Sequence, residues 1–167
     1  MGWLSGKTAR LVNGSAELAA ALSAHGATIV EGGDCDVLIH AAPPPPARLA
    51  HELSFAEWRG ALDAGLDQRF HFAREFAASR RESGKPGAIL FIGAPEQTLG
   101  SDQAAAGGAL GNLTKTLGVE WARDGIRVNA VQTCAADDTL FNLAAYLVSD
   151  YAAYVTGAVM GVGLDDD

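Results

Sequence analysis

The chain has 167 residues, 49% of them hydrophobic and 19% charged, enough apolar material to build one folded core and too much for a disordered chain. Twelve Lys and Arg against twenty Asp and Glu leave a net charge of −8, which argues against a sequence-independent nucleic-acid binder and an anionic membrane surface. No apolar run reaches the ~20 residues a membrane-spanning helix needs.

In chain order, Thr8–Val12 reads as a strand and Asn13-Gly14 as a turn. Ser15 then caps a helix with Leu18 and Leu22 on one face, closed by His25-Gly26. Ala27–Glu31 is a second strand, Gly32-Gly33 a turn, and Asp36–Ala41 a third strand apolar enough for burial on both faces. Pro43 to Pro46 must be extended, either as a rigid loop or as a polyproline ligand. Ser54 caps a long helix to about Ser83 that carries Phe55, Trp58, Leu62, Leu66, Phe70 and Phe76. Ala88–Gly93 is a buried strand. A second long helix runs from Ser101 or Asp102 to about Asp124, with Leu110, Leu113, Leu117 and Trp121 spaced at three and four. Ile126–Val131 is a strand, Thr139 to about Ser149 a helix, and Tyr154–Val162 a last strand. Strands alternating with helices imply a parallel sheet in one domain spanning residues 1–167.

Several stretches resemble the short-chain dehydrogenase/reductase family. Ala109–Ala122 is similar to the second half of its active-site helix, and Gly125–Val131 to its G-I-R-V-N-A-V strand. Phe141–Asp150 with Tyr154–Gly157 resembles its last helix and strand, and Asp36–Ala42 its D-x-L-V-N-N-A-G strand. The resemblance implies a reduced, Rossmann-like, three-layer α/β fold. One strand–helix unit is missing, because only Gly32–Cys35 stands where the family has a helix and a strand.

The family's catalytic tetrad is Asn, Ser, Tyr and Lys. Alignment places these at Gly65, at Gly93 or Ala94, at Gln103 and at Gly107. Gln103 does not titrate and Gly107 brings no charge. The family's glycine-rich phosphate loop is reduced to Asn13-Gly14, followed by Glu17. Thr133-Cys134 stands where the family has Pro-Gly, and Ala135–Asp138 is a shortened substrate-covering segment.

These departures lead to the expectation of a non-catalytic subunit, not an enzyme by itself, with no catalytic, cofactor-binding or metal residues of its own. It would assemble through its two long helices and C-terminal strand, with Phe70 and Trp121 at the interface, either with itself or with a full-length family member that carries NAD(P). The alternative is a diverged enzyme, or a small-molecule-binding protein, using a non-family residue such as His40 or Asp102. His25, His51 and His71 show no metal spacing, and His71 with Glu75 reads as a solvated helix pair. Cys35 and Cys134 read as small buried residues and Asp165–Asp167 as a solvated tail. With Met1 first and no apolar leader, the expected setting is the cytoplasm, with no nucleic-acid or membrane partner.

Overall fold

The structure, a computed structural model, describes residues 2–42, 47–93, 100–133 and 136–163. Its strands are β1 (Thr8–Val12), β2 (Thr28–Val30), β3 (Val37–Ala41), β4 (Gly87–Gly93), β5 (Ile126–Thr133) and β6 (Val159–Val162). Its helices are α1 (Ala16–Ala24), α2 (Phe55–Leu62), α3 (Gln68–Ser83), α4 (Ser101–Glu120) and α5 (Asp138–Val148). The strands form one parallel sheet in the order β2-β1-β3-β4-β5-β6. Among the described residues no helix is long and apolar enough to cross a membrane.

The strands alternate their side chains between two cores, which gives three layers. Ala9, Ile39, Leu90 and Val131 join Leu18 and Leu22 of α1 and Leu140, Ala144 and Leu147 of α5. On the other face Leu38, Ile89, Phe91 and Val128 meet Ala73 and Phe76 of α3 and Leu110 and Leu117 of α4. Trp121 belongs to this second core and is 6% exposed, so it is not the interface residue expected from the sequence. Its bulk closes the end of α4 against Ile126 and Val128. Phe70 stays on the surface, 45% exposed.

The missing unit has an unexpected consequence. Parallel strands ordinarily need a crossover of about a dozen residues. Here residues 31–36 carry the chain from β2 across β1 to β3. This works because β2 is only three residues long: Val30 pairs level with Arg10, and β3 begins at Val37, level with Ala9. Asp36 pins the link to the base of β1, accepting from Thr8 N at 2.9 Å and Thr8 Oγ1 at 3.0 Å. Cys35 is buried beneath it, and burial pushes its thiol up, away from reactivity.

The helix starts follow their caps. Ser15 Oγ accepts from Leu18 N, and Ser54 with Glu57 makes a reciprocal capping box. The helix expected to run unbroken to Ser83 contains a π segment at Asp63–Asp67, between α2 and α3. The expected strand from Tyr154 begins instead at Val159, because the preceding residues are held by side chains. Asn129 Nδ2 donates to Val155 O at 2.9 Å, and its Oδ1 accepts from Ala158 N at 3.1 Å.

Candidate functional site

A ligand site in an open parallel sheet lies at the carboxyl ends of the strands, where the strand order reverses. Here the reversal falls between β1 and β3. His40, near the end of β3, follows Leu38 by two residues, and Gln132 on β5 follows Ala130 by two. Both therefore face the α2–α4 side of the sheet.

Two of the positions aligned with the family's tetrad, Gly65 and Gly93, come together around an unexpected group. A Cβ added to Gly65 would lie 2.7 Å from Ala106 Cβ and 3.9 Å from Arg69 Nη1. One added to Gly93 would lie 3.2 Å from Leu110 Cδ2 and 3.4 Å from Arg69 Nη2. The Arg69 guanidinium thus sits between the π segment and the end of β4. It donates through Nη1 to Gly65 O at 2.6 Å and Ala64 O at 3.4 Å, and through Nη2 to Ile92 O at 2.5 Å. The first two carbonyls belong to the π segment. Burial pushes the Arg69 pKa down to about 10, so it remains a cation at neutral pH. Gln103 and Gly107 lie on the buried side of α4. Ala94 and Cys134 lie outside the described residues.

His40 is fully buried, and among the described residues neither ring nitrogen has a hydrogen-bond partner. Its ring packs on Phe72 at 5.6 Å between centroids. Burial, and then the positive charge of Arg69, lower its pKa to about 4, so the imidazole is neutral at pH 7, with one N–H donor and one acceptor nitrogen. Asp102 Oδ1, Arg69 Nε and Gln132 Nε2 are likewise buried and without a partner among the described residues. The structure thus brings both non-family candidates, His40 and Asp102, to the same end of the sheet and adds Arg69 and Gln132.

The sequence carried a signal for Arg69. The buried stripe of α3 is Arg69, Ala73, Phe76, Ala77 and Arg80, with an arginine at each end of a helical repeat. A charged residue on an apolar stripe has an internal partner or a function.

A cavity of about 530 Å³ lies between the segment after β3 (Arg48, Leu49, Ala50, Glu52) and the start of α4 (Gly100, Ser101); none of His40, Arg69, Asp102 and Gln132 is among its lining residues. That volume suits a small organic ligand. The β1–α1 turn is tighter. Asn13 is left-handed at φ 55°, and a Cβ on Gly14 would lie 2.4 Å from Leu11 Cδ1. Glu17 is in the first turn of α1, its carboxyl held below the usual range by its own backbone N–H and by Ser15.

The model of the family described as enoyl-(acyl carrier protein) reductase matches residues 12–139, most of the chain. The chain belongs to the short-chain dehydrogenase/reductase family. Over 164 residues it is 30% identical to cis-4-hydroxycyclohexanecarboxylate dehydrogenase of Sinomonas cyclohexanicum, covering 79% of this chain and 66% of that one. Over 158 residues it is 33% identical to the (2S)-[(R)-hydroxy(phenyl)methyl]succinyl-CoA dehydrogenase subunit BbsC of Thauera aromatica, covering 78% and 62%. The chain therefore spans less than two thirds of these relatives' lengths.

A short-chain dehydrogenase/reductase structure from Mycobacterium marinum shares the fold at a TM-score of 0.86, with 18% identity over 95% of this chain and 94% of that one. A 4-hydroxyisoleucine dehydrogenase complexed with NADH and succinate matches at a TM-score of 0.71 and 26% identity, covering 77% and 68%.

Two expectations are corrected by these matches. The reading that the chain is not an enzyme by itself gives way, because the relatives it matches are dehydrogenases. The reading that it carries no cofactor gives way with it, because a family structure similar to this chain holds NADH. The first reading counted side chains at four aligned positions, and the second counted glycines in the shortened Asn13-Gly14 loop. Such a count cannot see a cation delivered from a different helix, as Arg69 is, or a neutral imidazole from β3.

Proposed function

We propose that this chain is a diverged oxidoreductase of the short-chain dehydrogenase/reductase family. It would act on a small hydroxyl- or carbonyl-bearing molecule held at the carboxyl end of the sheet, with a nicotinamide dinucleotide as redox partner. The observation that carries this reading is the set of unpartnered buried atoms on His40, Arg69, Asp102 and Gln132. Leaving such groups unpaired costs about 1–3 kcal/mol each, a cost retained where a ligand completes the bonds.

The residues fit the nicotinamide end of such a cofactor. Arg69 Nε and Gln132 Nε2 offer donors and Asp102 Oδ1 an acceptor, the complement of a carboxamide. The phosphate end would rest on the backbone of Asn13 and Gly14, a shorter cradle than the family's, with Glu17 close behind. When bound, the cofactor supplies a hydride acceptor or donor. This chain's residues then have separate tasks. Arg69 holds a fixed positive charge, which favours negative charge developing on a substrate oxygen. His40, neutral above about pH 5 given its lowered pKa, donates or accepts one hydrogen bond without bringing a second charge.

Titrating the chain with NADH and with NADPH, read by nicotinamide fluorescence, tests this. Saturable binding is expected, weakened in His40→Leu while the far-UV circular dichroism is unchanged. A folded chain that binds neither nucleotide overturns the reading.

Assembly is a second reading. Phe70 on α3 is 45% exposed and Val119 on α4 is 78% exposed, and one relative is itself named a subunit. A second copy or a full-length family member would cover these residues. Native mass spectrometry of the chain, alone and with such a member, tests it, and a monomer in both cases rejects it.

A further inference from the structure

The amino end of the sheet, opposite the candidate site, holds another cavity, of about 260 Å³. Four cations from four different places in the chain line it: Lys7 before β1, Arg80 on α3, Lys85 in the turn before β4 and Arg127 on β5. Asp36 and Asp150 line it as well, and Asp34 pairs with Arg80 and Lys85 from outside the wall. Four cations against three carboxylates leave one positive charge here, in a chain of net charge −8. A local field of sign opposite to the whole chain gathers anions.

The cations fall into two kinds. Arg80 and Arg127 are fixed. Arg80 donates to Pro86 O, Asp34 and Asp36, the carboxylate contacts both at 3.0 Å. Arg127 donates only to carbonyls, Leu147 O at 2.6 Å, Ser149 O at 2.9 Å and Ala152 O at 3.0 Å. Among the described residues no carboxylate lies within ion-pair distance of it.

Lys7 and Lys85 are loosely held. Lys7 Nζ reaches Asp150 at 2.8 Å; the lysine side chain is 24% exposed, and the carboxylate that holds it is 84% exposed and screened by solvent. Lys85 Nζ reaches Asp34 at 3.3 Å, with both side chains about half exposed. Exposed pairs of this kind contribute about 0–1 kcal/mol, so either ammonium can turn to a better-placed anion at little cost.

We propose that this cavity binds a small doubly charged oxyanion, gripped by Lys7 and Lys85 over the fixed charge of Arg127. The volume is just below the ~300–1,000 Å³ of sites for drug-sized ligands, which favours a phosphate group or a short dicarboxylate over a nucleotide. The site is separate from the carboxyl-end crevice and does not depend on the oxidoreductase reading.

A heteronuclear NMR titration of the full chain, at constant ionic strength against potassium chloride, tests the proposal. The probes are inorganic phosphate and succinate. Saturable shifts are expected at the Gly87, Ala88 and Arg127 amides, with affinity about tenfold weaker in Lys7→Ala/Lys85→Ala, equivalent to about 1.4 kcal/mol. Lys85→Ala alone, at an exposed position, should weaken binding in the same direction and serves if the double variant misfolds. Saturation by phosphate alone narrows the ligand to phosphate, and saturation by both supports the broader class. A response no different from chloride overturns the proposal. So does unchanged affinity in the lysine variants, or shifts confined to Asn13 and His40 at the other end of the sheet.

Discussion

The two ends of the sheet treat buried polar groups in opposite ways. At the amino end Arg80 is 3% exposed, yet it bonds Asp34, Asp36 and Pro86 O. At the carboxyl end His40, Arg69, Asp102 and Gln132 each keep a buried atom without a partner among the described residues. The first arrangement ties α3 to the starts of β3 and β4 and belongs to the stability of the fold. The second lowers stability, which is the signature of a place built to meet something else. Removing a buried polar side chain should therefore have opposite signs at the two ends.

The largest effect is expected from Arg80→Met. It removes the shared partner of Asp34 and Asp36 and strands Pro86 O. Breaking a buried pair costs about 3–5 kcal/mol, and rehydration of the half-exposed carboxylates places this variant at the low end, about 3 kcal/mol in urea unfolding.

Next comes an acid-dependent loss. The folded pKa of His40, about 4, lies below its unfolded value of about 6.5, so the unfolded chain binds the proton more readily. The stability from keeping His40 neutral is complete above about pH 6.5 and falls as pH drops toward 4, by about 2–3 kcal/mol. His40→Leu should flatten that slope. The Asp34 and Asp36 pKa values are also lowered, the first chiefly by the Arg80 hydrogen bond and the second by Thr8 and Arg80 against the opposing effect of burial. Their losses come at lower pH, below the ordinary carboxylate range.

Gly65→Ala sets a Cβ 2.7 Å from Ala106 Cβ on a neighbouring helix, and overpacking of this kind costs about 1–3 kcal/mol. A normal melting temperature in Gly65→Ala would show that α4 can back away and that the two helices are not in fixed contact. The smallest effect is at neutral pH, where His40→Leu removes two unsatisfied nitrogens and should raise stability by about 1 kcal/mol while weakening ligand binding. A destabilised His40→Leu at neutral pH would mean that the carboxyl end is as structurally satisfied as the amino end, and the contrast would fail.

The sequence displayed the frame and concealed the site, for a physical reason. Frame elements announce themselves locally: Ser15 and Ser54 as caps, Gly125 with its left-handed φ of 72°, and the apolar run of β3. Arg69 acts through tertiary placement. Its place on the apolar stripe of α3 marks it as buried, but only the π segment and the end of β4 give its guanidinium acceptors. Trp121 misled in the reverse sense. An aromatic on a family assembly helix suggested an interface, but the chain's own strand β5 had already covered it. The short passage from β2 to β3 was hidden as well, because the level at which a strand stops depends on pairing with β1 rather than on the residues of the link.

That link also makes the fold a natural host. Glu31, Gly32, Gly33 and Asp34 are all exposed, and nothing lies within 4 Å of a Cβ placed on either glycine. A peptide or reporter domain spliced between Gly32 and Gly33 would lengthen a loop whose closure entropy grows by only about 0.6 kcal/mol per doubling. Its ends would emerge beside β1, the strand that leads directly into the Asn13 turn, so occupancy of the crevice could be read as a change in the inserted reporter.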